Sequence, residues 1–152
     1  MNNLAVSNAI PPMSAESINK VRQLEDCILK CPQADIPVEH VIHAGVYART
    51  ITIPAGIVLT GALIKIPTLL VVSGRSRVFL GDGTIEITGQ HVIPASAGRK
   101  QAFYAIENTS ITMIFHTQAK TVQEAEKEFT DEYERLTSNK SETTNIINIT
   151  GE

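Results

Sequence analysis

The side chains in this sequence best suited to bind a metal ion are four histidines and two cysteines. His40 and His43 are three residues apart, so on a strand they point to opposite faces and cannot chelate one ion. A site built from His43, His91 or His116 on neighbouring strands is the alternative, although no ligand spacing typical of metal sites supports it. We predict that the histidines are hydrogen-bonding residues.

Cys27 and Cys31 lie four residues apart, which places both on one face of a helix. They could form a redox pair or half of a metal site, or they could be two small buried side chains. Since the sequence has no other cysteine and no CxxC spacing, we predict that both are buried in the core.

Acid–base and nucleophilic catalysis also lack their usual residues. The sequence contains no GxSxG and no HExxH pattern. In its β-rich part the carboxylates are scarce, and only Glu39, Asp82, Glu86 and Glu107 could serve as a paired acid and base. We therefore predict a protein that is not an enzyme and has no catalytic residues.

The composition limits the partners of such a protein. Its 152 residues are enough for one domain, with 43% hydrophobic and 19% charged residues. The net charge of −3 argues against nucleic-acid binding, which requires clustered Lys and Arg. The sequence has no apolar run long enough to cross a membrane and no convincing signal peptide, so we expect a cytoplasmic protein with no membrane partner.

The elements that must position these residues follow from sequence periodicity. Apolar residues at helical spacing predict a helix from Ser14, its N-cap, to Cys31, with Pro32 as the stop. In residues 37–117, short runs of β-branched residues alternate with turn signals such as Ser73–Gly74. This pattern predicts an antiparallel sandwich or barrel.

A second helix is predicted after the strands, where Thr121 and Glu124 form a capping-box pattern. An apolar stripe follows at helical spacing, formed by Val122, Ala125, Phe129, Tyr133 and Leu136. The predicted division is an N-terminal arm and helix (1–36), a β-barrel (37–117), a C-terminal helix (118–137) and a polar tail (138–152).

The β-rich segment resembles the cupin superfamily, small jelly-roll barrels recognised by two motifs. The first motif has the form G(x)5HxH(x)3–4E(x)6G. Aligned on its opening glycine, Gly56, it puts the two histidine positions at Ala62 and Ile64. Aligned on its closing glycine, Gly74, it puts the glutamate position at Pro67. None of the residues at these ligand positions can bind a metal ion strongly.

The second cupin motif, G(x)5PxG(x)2H(x)3N, is matched in part. Gly98 matches the glycine of PxG, whereas Ser96 replaces its proline, Gln101 stands at the histidine position and Ala105 at the asparagine. A carboxamide is a poor substitute for imidazole as a ligand. The resemblance implies an all-β fold, a cupin-type jelly-roll barrel with flanking N-terminal and C-terminal α-helices, without a metal or other cofactor.

Residues 37–117 are also similar to a small cupin-like group carried by bacteriophages, whose members commonly show TG-x-x-HKTEH and SPPGTKR-x-GYA segments. The matching positions are Thr60, Gly61, Lys65, Gly98, Lys100, Tyr104 and Ala105. The ligand-like positions differ, with Ile64 and Thr68 in place of His and Pro67 in place of Glu. A phage-encoded protein would act in the host cell cytoplasm or form part of the virion.

In cupins the two motif segments face each other across the mouth of the barrel. The resemblance therefore places Lys65, Arg99, Lys100 and Gln101, with Tyr104 as an aromatic surface, on a rim above an apolar floor. Such a rim suits a small anionic ligand, such as a nucleotide or an organic acid. The alternative is ordinary solvated loop charges above a barrel filled with side chains, as is usual in small barrels.

Three functions are compatible with these residues. The leading hypothesis is a non-catalytic, phage-type cupin-fold protein that sequesters a small anion or binds a phage or host protein. The second is a structural or assembly subunit of a phage particle, and the third is a metal-dependent cupin enzyme with an atypical site. We also expect a homo-oligomer, because exposed strand edges and the stripe of Val122, Phe129 and Leu136 need cover.

Overall fold

The computed structural model describes residues 9–81, 83–140 and 143–151. The elements in these ranges are α1 (Ala15–Ile28), β1 (Val38–His43), β2 (Val46–Ile53), β3 (Val58–Thr60), β4 (Thr68–Phe79), β5 (Thr84–Ala95), β6 (Ala102–Ala105), β7 (Thr109–His116), α2 (Val122–Phe129), two 3-10 helices (Tyr133–Arg135 and Thr137–Asn139) and β8 (Asn145–Ile149). The predicted all-β barrel with flanking helices is confirmed. Among these residues, no helix has the length and apolar character needed to span a membrane.

One curled sheet forms the barrel, with its described strands in the order β3-β6-β4-β7-β2-β1-β8 and with β5 paired to β4 outside this order. The neighbouring strands run antiparallel, except that β8 is parallel to β1. The turn Ala44–Gly45 joins β1 to β2, and its φ angles of 52° and 71° are typical of a tight hairpin. Every second residue of β1 and β7 is buried, which is the alternation expected of strands with one face on a core.

Strand β4 corrects one expectation from the sequence, because Ser73–Gly74 lies in its middle and is not a turn. The strand pairs with β7 up to Ser73 and with β6 from Ser76 onwards, so its partner changes at Gly74. A Cβ at Gly74 would collide with the backbone of Asn108 and Thr109, where the chain passes from β6 to β7. The glycine is needed here for a close approach of two backbones.

Helix α1 begins as predicted and ends earlier. The Ser14 hydroxyl accepts a hydrogen bond from the N–H of Ser17 at 3.1 Å, which is an N-cap. The helix ends at Ile28, where the Gln33 carboxamide donates to the carbonyls of Ile28 and Cys31, each at 2.8 Å. These bonds satisfy carbonyls that have no partner within the helix.

The prediction that Cys27 and Cys31 are buried is wrong, since both are exposed free thiols. Helix α1 packs through Ser17 and Val21, which are 5% and 1% exposed, and Val21 packs with Met13. Cys27 lies on the opposite side, and Cys31 lies beyond the end of the helix, so the two do not form one buried face.

Helix α2 docks on the barrel through the predicted apolar stripe. Val122, Ala125 and Phe129 are buried, and the Phe129 ring lies 6.0 Å from that of Phe115 and 6.4 Å from that of Tyr47. These aromatic contacts join the helix to β2 and β7 and form the centre of the core.

The second helix is shorter than the predicted segment 118–137. The N–H of Glu124 donates to the Thr121 hydroxyl at 3.2 Å, which confirms the predicted N-cap. The helix stops at Phe129 because Thr130 is extended and the carbonyl of Phe129 accepts from the N–H of Lys65. The remaining stripe residues follow beyond this helix, Tyr133 on the first 3-10 helix and Leu136 between the two 3-10 helices.

The tail assigned to residues 138–152 contains a strand. Residues 145–149 form β8, which pairs with β1 so that Asn145 lies beside Val38 and Ile149 beside Ile42. Asn145 also bonds to the buried His40, whose Nε2 lies 2.7 Å from the Asn145 carboxamide oxygen. The polar residues of the tail therefore extend the sheet.

Candidate functional site

A cavity of about 600 Å³ lies inside the barrel, so the interior is not filled with side chains as small barrels usually are. Strands β2, β3, β4, β6 and β7 supply residues to its wall. The end of α1, the following segment 29–36 and the 3-10 helices border the remaining side. Apolar side chains make up much of the wall, among them Ile51, Leu59, Ile64, Phe103, Ile111 and Met113.

Arg99 is a buried cation of this cavity that forms no ion pair with any carboxylate in the described ranges. The residue is 1% exposed. Its Nη1 donates to the carbonyl of Ser96 and its Nη2 to the hydroxyl of Thr68, each at 2.7 Å. Burial lowers the pKa of the Arg99 guanidinium well below its usual value, to about 10, so the group is still charged at neutral pH.

Gln101 adds an unpaired polar group to the same cavity. The residue is 5% exposed, and its Nε2 has no hydrogen-bond partner among the residues described. Buried amide groups almost always have a partner, and burial without one costs free energy. Arg99 and Gln101 therefore place hydrogen-bond donors in the wall of the cavity, although almost none of their surface is exposed to it.

Lys100, the cation between them in sequence, is neutralised within the protein. Its Nζ lies 3.1 Å from a carboxylate oxygen of Glu25 and 3.6 Å from one of Glu132, and it donates to the carbonyl of Gly61 at 2.9 Å. Glu25 belongs to α1 and Glu132 precedes the first 3-10 helix. These ion pairs tie both elements to the wall of the barrel.

The same two carboxylates also pair with more exposed arginines. Arg22 lies 3.0 Å from Glu132, and Arg135 lies 3.1 Å from Glu25. Burial on its own would raise the pKa of Glu132, but a backbone N–H and the nearby cations outweigh it and lower the pKa of this carboxyl. Both carboxylates are therefore fully engaged in ion pairs and are poorly suited to act as a general base.

Arg49 is a third cation beside the cavity, and it too has an internal partner. Its Nη1 lies 3.0 Å from Glu126, which is 2% exposed and also accepts from the hydroxyl of Ser138. The guanidinium lies 5.6 Å from the centroid of the Phe129 ring. Sequence reasoning missed these acidic partners because Glu25, Glu126 and Glu132 lie outside the β-rich part.

The five residues predicted for the rim fall into two groups. Arg99, Lys100 and Gln101 meet at the cavity, but they are buried in its wall and form neither the expected rim above an apolar floor nor the alternative of solvated loop charges. A backbone hydrogen bond holds residues 99–101 beside the cavity wall, because the N–H of Ile64 donates to the carbonyl of Arg99 at 2.8 Å. Lys65 and Tyr104, in contrast, are outside the cavity wall.

The two residues outside the wall are held by surface contacts. Lys65 lies 2.7 Å from Asp131, and both side chains are exposed. Tyr104 is 42% exposed and lies in β6 between Val58 and Arg77 of the neighbouring strands. Neither side chain therefore contributes to the arrangement around Arg99.

The donor set at the cupin ligand positions does not fit a metal ion. Ala62 and Ile64 present apolar side chains to the cavity, and Gln101 presents an amide. Within the described ranges, no group of three or more His, Cys, Asp or Glu side chains is arranged to hold a metal. His40 is buried and bonded to Tyr47, whereas His43 is exposed, as their spacing predicted.

Comparison with known proteins gives matches in structure only. No protein-family model matches the chain, and no curated protein sequence matches it. Similar solved structures include a cupin superfamily protein from Desulfitobacterium hafniense (12% identity, 58% of this chain and 83% of that one, TM-score 0.47). The Cupin_2 domain of an XRE family transcriptional regulator from Enterobacter cloacae is another (9% identity, 56% and 100%, TM-score 0.45).

A third similar structure is the salicylate 1,2-dioxygenase from Pseudaminobacter salicylatoxidans (12% identity, 74% of this chain and 34% of that one, TM-score 0.48). The solved structures similar to this chain thus include members of the cupin superfamily, whose motifs its sequence resembles.

Proposed function

We propose that the protein binds a small anionic molecule inside its barrel and does not transform it. The observation that carries the proposal is the pairing of Arg99, a buried cation without an acidic partner, with the unpaired amide of Gln101 beside one cavity. A buried unpaired charge is costly, and a bound anion would offset that cost.

The surroundings favour binding over catalysis. The carboxylates bordering the cavity, Glu25 and Glu132, are held in ion pairs, which leaves no free base near the proposed ligand in the described part of the chain. The positions of the cupin metal ligands carry no metal-binding groups. A protein that holds a molecule without turning it over would act by sequestration, and the similarity to phage-carried proteins suggests the host cytoplasm as the setting.

The proposal is tested by filling the cavity. Ala62 lines the wall, so Ala62→Phe should place a ring in the binding space, whereas Ala15→Phe changes an exposed position of α1. With the fluorescent anion anilinonaphthalene sulfonate as probe, we expect saturable binding to the wild-type protein and to Ala15→Phe. Ala62→Phe should bind about tenfold or more weakly. Equal binding by both variants, or no saturable binding, would refute the proposal.

A second function, as a self-assembling subunit, is favoured by strand β8. Among the strands of the described ranges it is the last in the sheet order, and Ile146, Ile147 and Ile149 are 54%, 52% and 45% exposed. An uncovered edge strand with apolar side chains invites pairing with another strand. The partner proposed is a second copy of this chain, since antiparallel pairing of two β8 strands about a two-fold axis would cover these residues in both.

Light scattering tests the assembly. We expect a dimer or larger oligomer at micromolar concentration, and a monomer for Ile147→Lys, in which a charge stands within the proposed contact. The matched control is Val92→Lys, at a residue 60% exposed on β5. A monomeric wild-type protein would contradict this second function.

A further inference from the structure

Charge balance around the cavity indicates how many charges its ligand carries. Lys100 is neutralised by Glu25 and Arg49 by Glu126, at 3.1 and 3.0 Å. Arg99 is the buried cation left without an acidic partner among the residues described. Lys140 also borders the cavity without an ion pair in the described ranges, but it is exposed and water solvates its charge. One uncompensated buried positive charge is matched best by one negative charge, because every further charge would have to be buried without a partner.

The donors available at this point favour a carboxylate. An arginine has five N–H groups, and Arg99 uses two of them for the oxygens of Ser96 and Thr68. Its Nη2 also donates to the sulfur of Met113 in the cavity wall at 3.9 Å, which leaves two N–H groups without a partner among the residues described. The remaining guanidinium donors and the unpaired amide of Gln101 can together serve the two oxygens of one planar anion.

The rest of the wall is suited to an apolar body. Ile51, Leu59, Phe103 and Ile111 line it, and they offer no hydrogen bond to a polar ligand. Ribose hydroxyls and base edges placed against such a wall would lose hydrogen bonds to water without replacement, which costs free energy. A nucleotide therefore fits this wall poorly.

We propose that the ligand is a monocarboxylate with an apolar body, held through its carboxylate by Arg99 and Gln101 and through its body by the apolar wall. This inference rests on the proposed function. It narrows the class of ligand from small anions in general to monocarboxylates with an apolar body. It differs from the nucleotide suggested by the sequence, since a phosphate monoester brings more than one negative charge.

The experiment compares carboxylates with neutral molecules of the same length. Hexanoate, octanoate and decanoate are titrated calorimetrically into the wild-type protein, together with the corresponding primary alcohols and adenosine monophosphate. We expect at least one acid of the series to bind about tenfold or more tightly than its alcohol, because the charge-assisted hydrogen bonds are shielded from water. Adenosine monophosphate should bind more weakly than that acid.

Substitution of Arg99 tests whether this residue causes the preference for an acid over its alcohol. Arg99→Met should bind an acid and its alcohol with similar affinity, whereas Arg77→Met, which removes an exposed arginine, should keep the wild-type preference. If Arg99→Met does not fold, Arg99→Lys keeps the charge, loses the fork of donors and should show a reduced preference.

Each outcome separates the inference from the proposed function. Equal affinity of acids and alcohols for the wild-type protein would overturn the monocarboxylate inference, as would tighter binding of adenosine monophosphate. Saturable binding of anilinonaphthalene sulfonate that Ala62→Phe weakens would then still support a binding function. Failure of that probe together with every acid would overturn both.

Discussion

Replacing Arg99 with methionine should stabilise the ligand-free protein. Burial lowers the pKa of Arg99 well below its usual value, to about 10, and a pKa unit corresponds to about 1.4 kcal/mol, so the buried charge costs about 3 kcal/mol. The sign follows from proton binding. The unfolded chain holds this proton more tightly than the folded one, so the cost is present at every pH below about 10.

The substitution also removes interactions that stabilise the fold. Arg99→Met loses hydrogen bonds to Ser96 and Thr68, each worth about 1 kcal/mol. The difference is a gain of about 1 kcal/mol in the free energy of unfolding, or about 2–4 °C in melting temperature for a chain of this size. Urea unfolding of both proteins without ligand measures this, with Arg77→Met as the control expected to change little.

A loss of more than about 2 kcal/mol in Arg99→Met would refute the reasoning. It would mean that the guanidinium is needed to hold Ser96 and Thr68 in place and that its charge is a structural feature. A gain in stability accompanied by a loss of anion binding is the pattern expected of a residue kept for function.

Burial lowers the pKa of His40 below 6.5, so the unfolded chain binds the proton more tightly and the free energy of unfolding should fall between about pH 7.5 and 5.5. Urea titrations should show a smaller fall for His40→Gln, and an unchanged fall would contradict this. Glu25→Gln should cost about 2–3 kcal/mol because it weakens the pairing of the buried Lys100. Asp131→Asn, in an exposed ion pair, should cost less than about 1 kcal/mol, and equal costs would be the contrary result.

Local patterns in the sequence predicted much of the fold. Alternating β-branched runs and turn residues indicated the barrel, and the stripe from Val122 to Phe129 indicated the face of α2 that docks on it. The same rules failed where tertiary contacts determine the local secondary structure. Gly74 resembles a turn residue, but it lies within β4 because the chain at Asn108 passes close to it.

Only part of the candidate site could be predicted. The resemblance to cupins pointed to Arg99, Lys100 and Gln101, which do meet at one cavity. Their burial could not be read from the sequence, because the partners that distinguish Lys100 from Arg99 come from segments far away in the chain. Glu25 reaches Lys100 from α1, more than seventy residues earlier, and no such carboxylate reaches Arg99 within the described ranges.

Strand β8 could not be predicted from the sequence either. Residues 145–149 contain isoleucines that favour a strand, but they are set among polar residues and have no buried face. Their pairing with β1 is accompanied by a hydrogen bond between Asn145 and His40, residues over a hundred positions apart. The periodicity of a sequence carries no information about contacts between residues so far apart.

The most direct test of the central claim is a nitrogen-edited NMR spectrum of the arginine side chains during a titration with octanoate. The Arg99 signal is identified by its absence from the spectrum of Arg99→Lys. We expect this signal to move saturably as octanoate is added, with one equivalent bound per chain, while the Arg77 signal stays in place. An Arg99 signal unchanged at saturating octanoate, or one that moves equally with octanol, would contradict it.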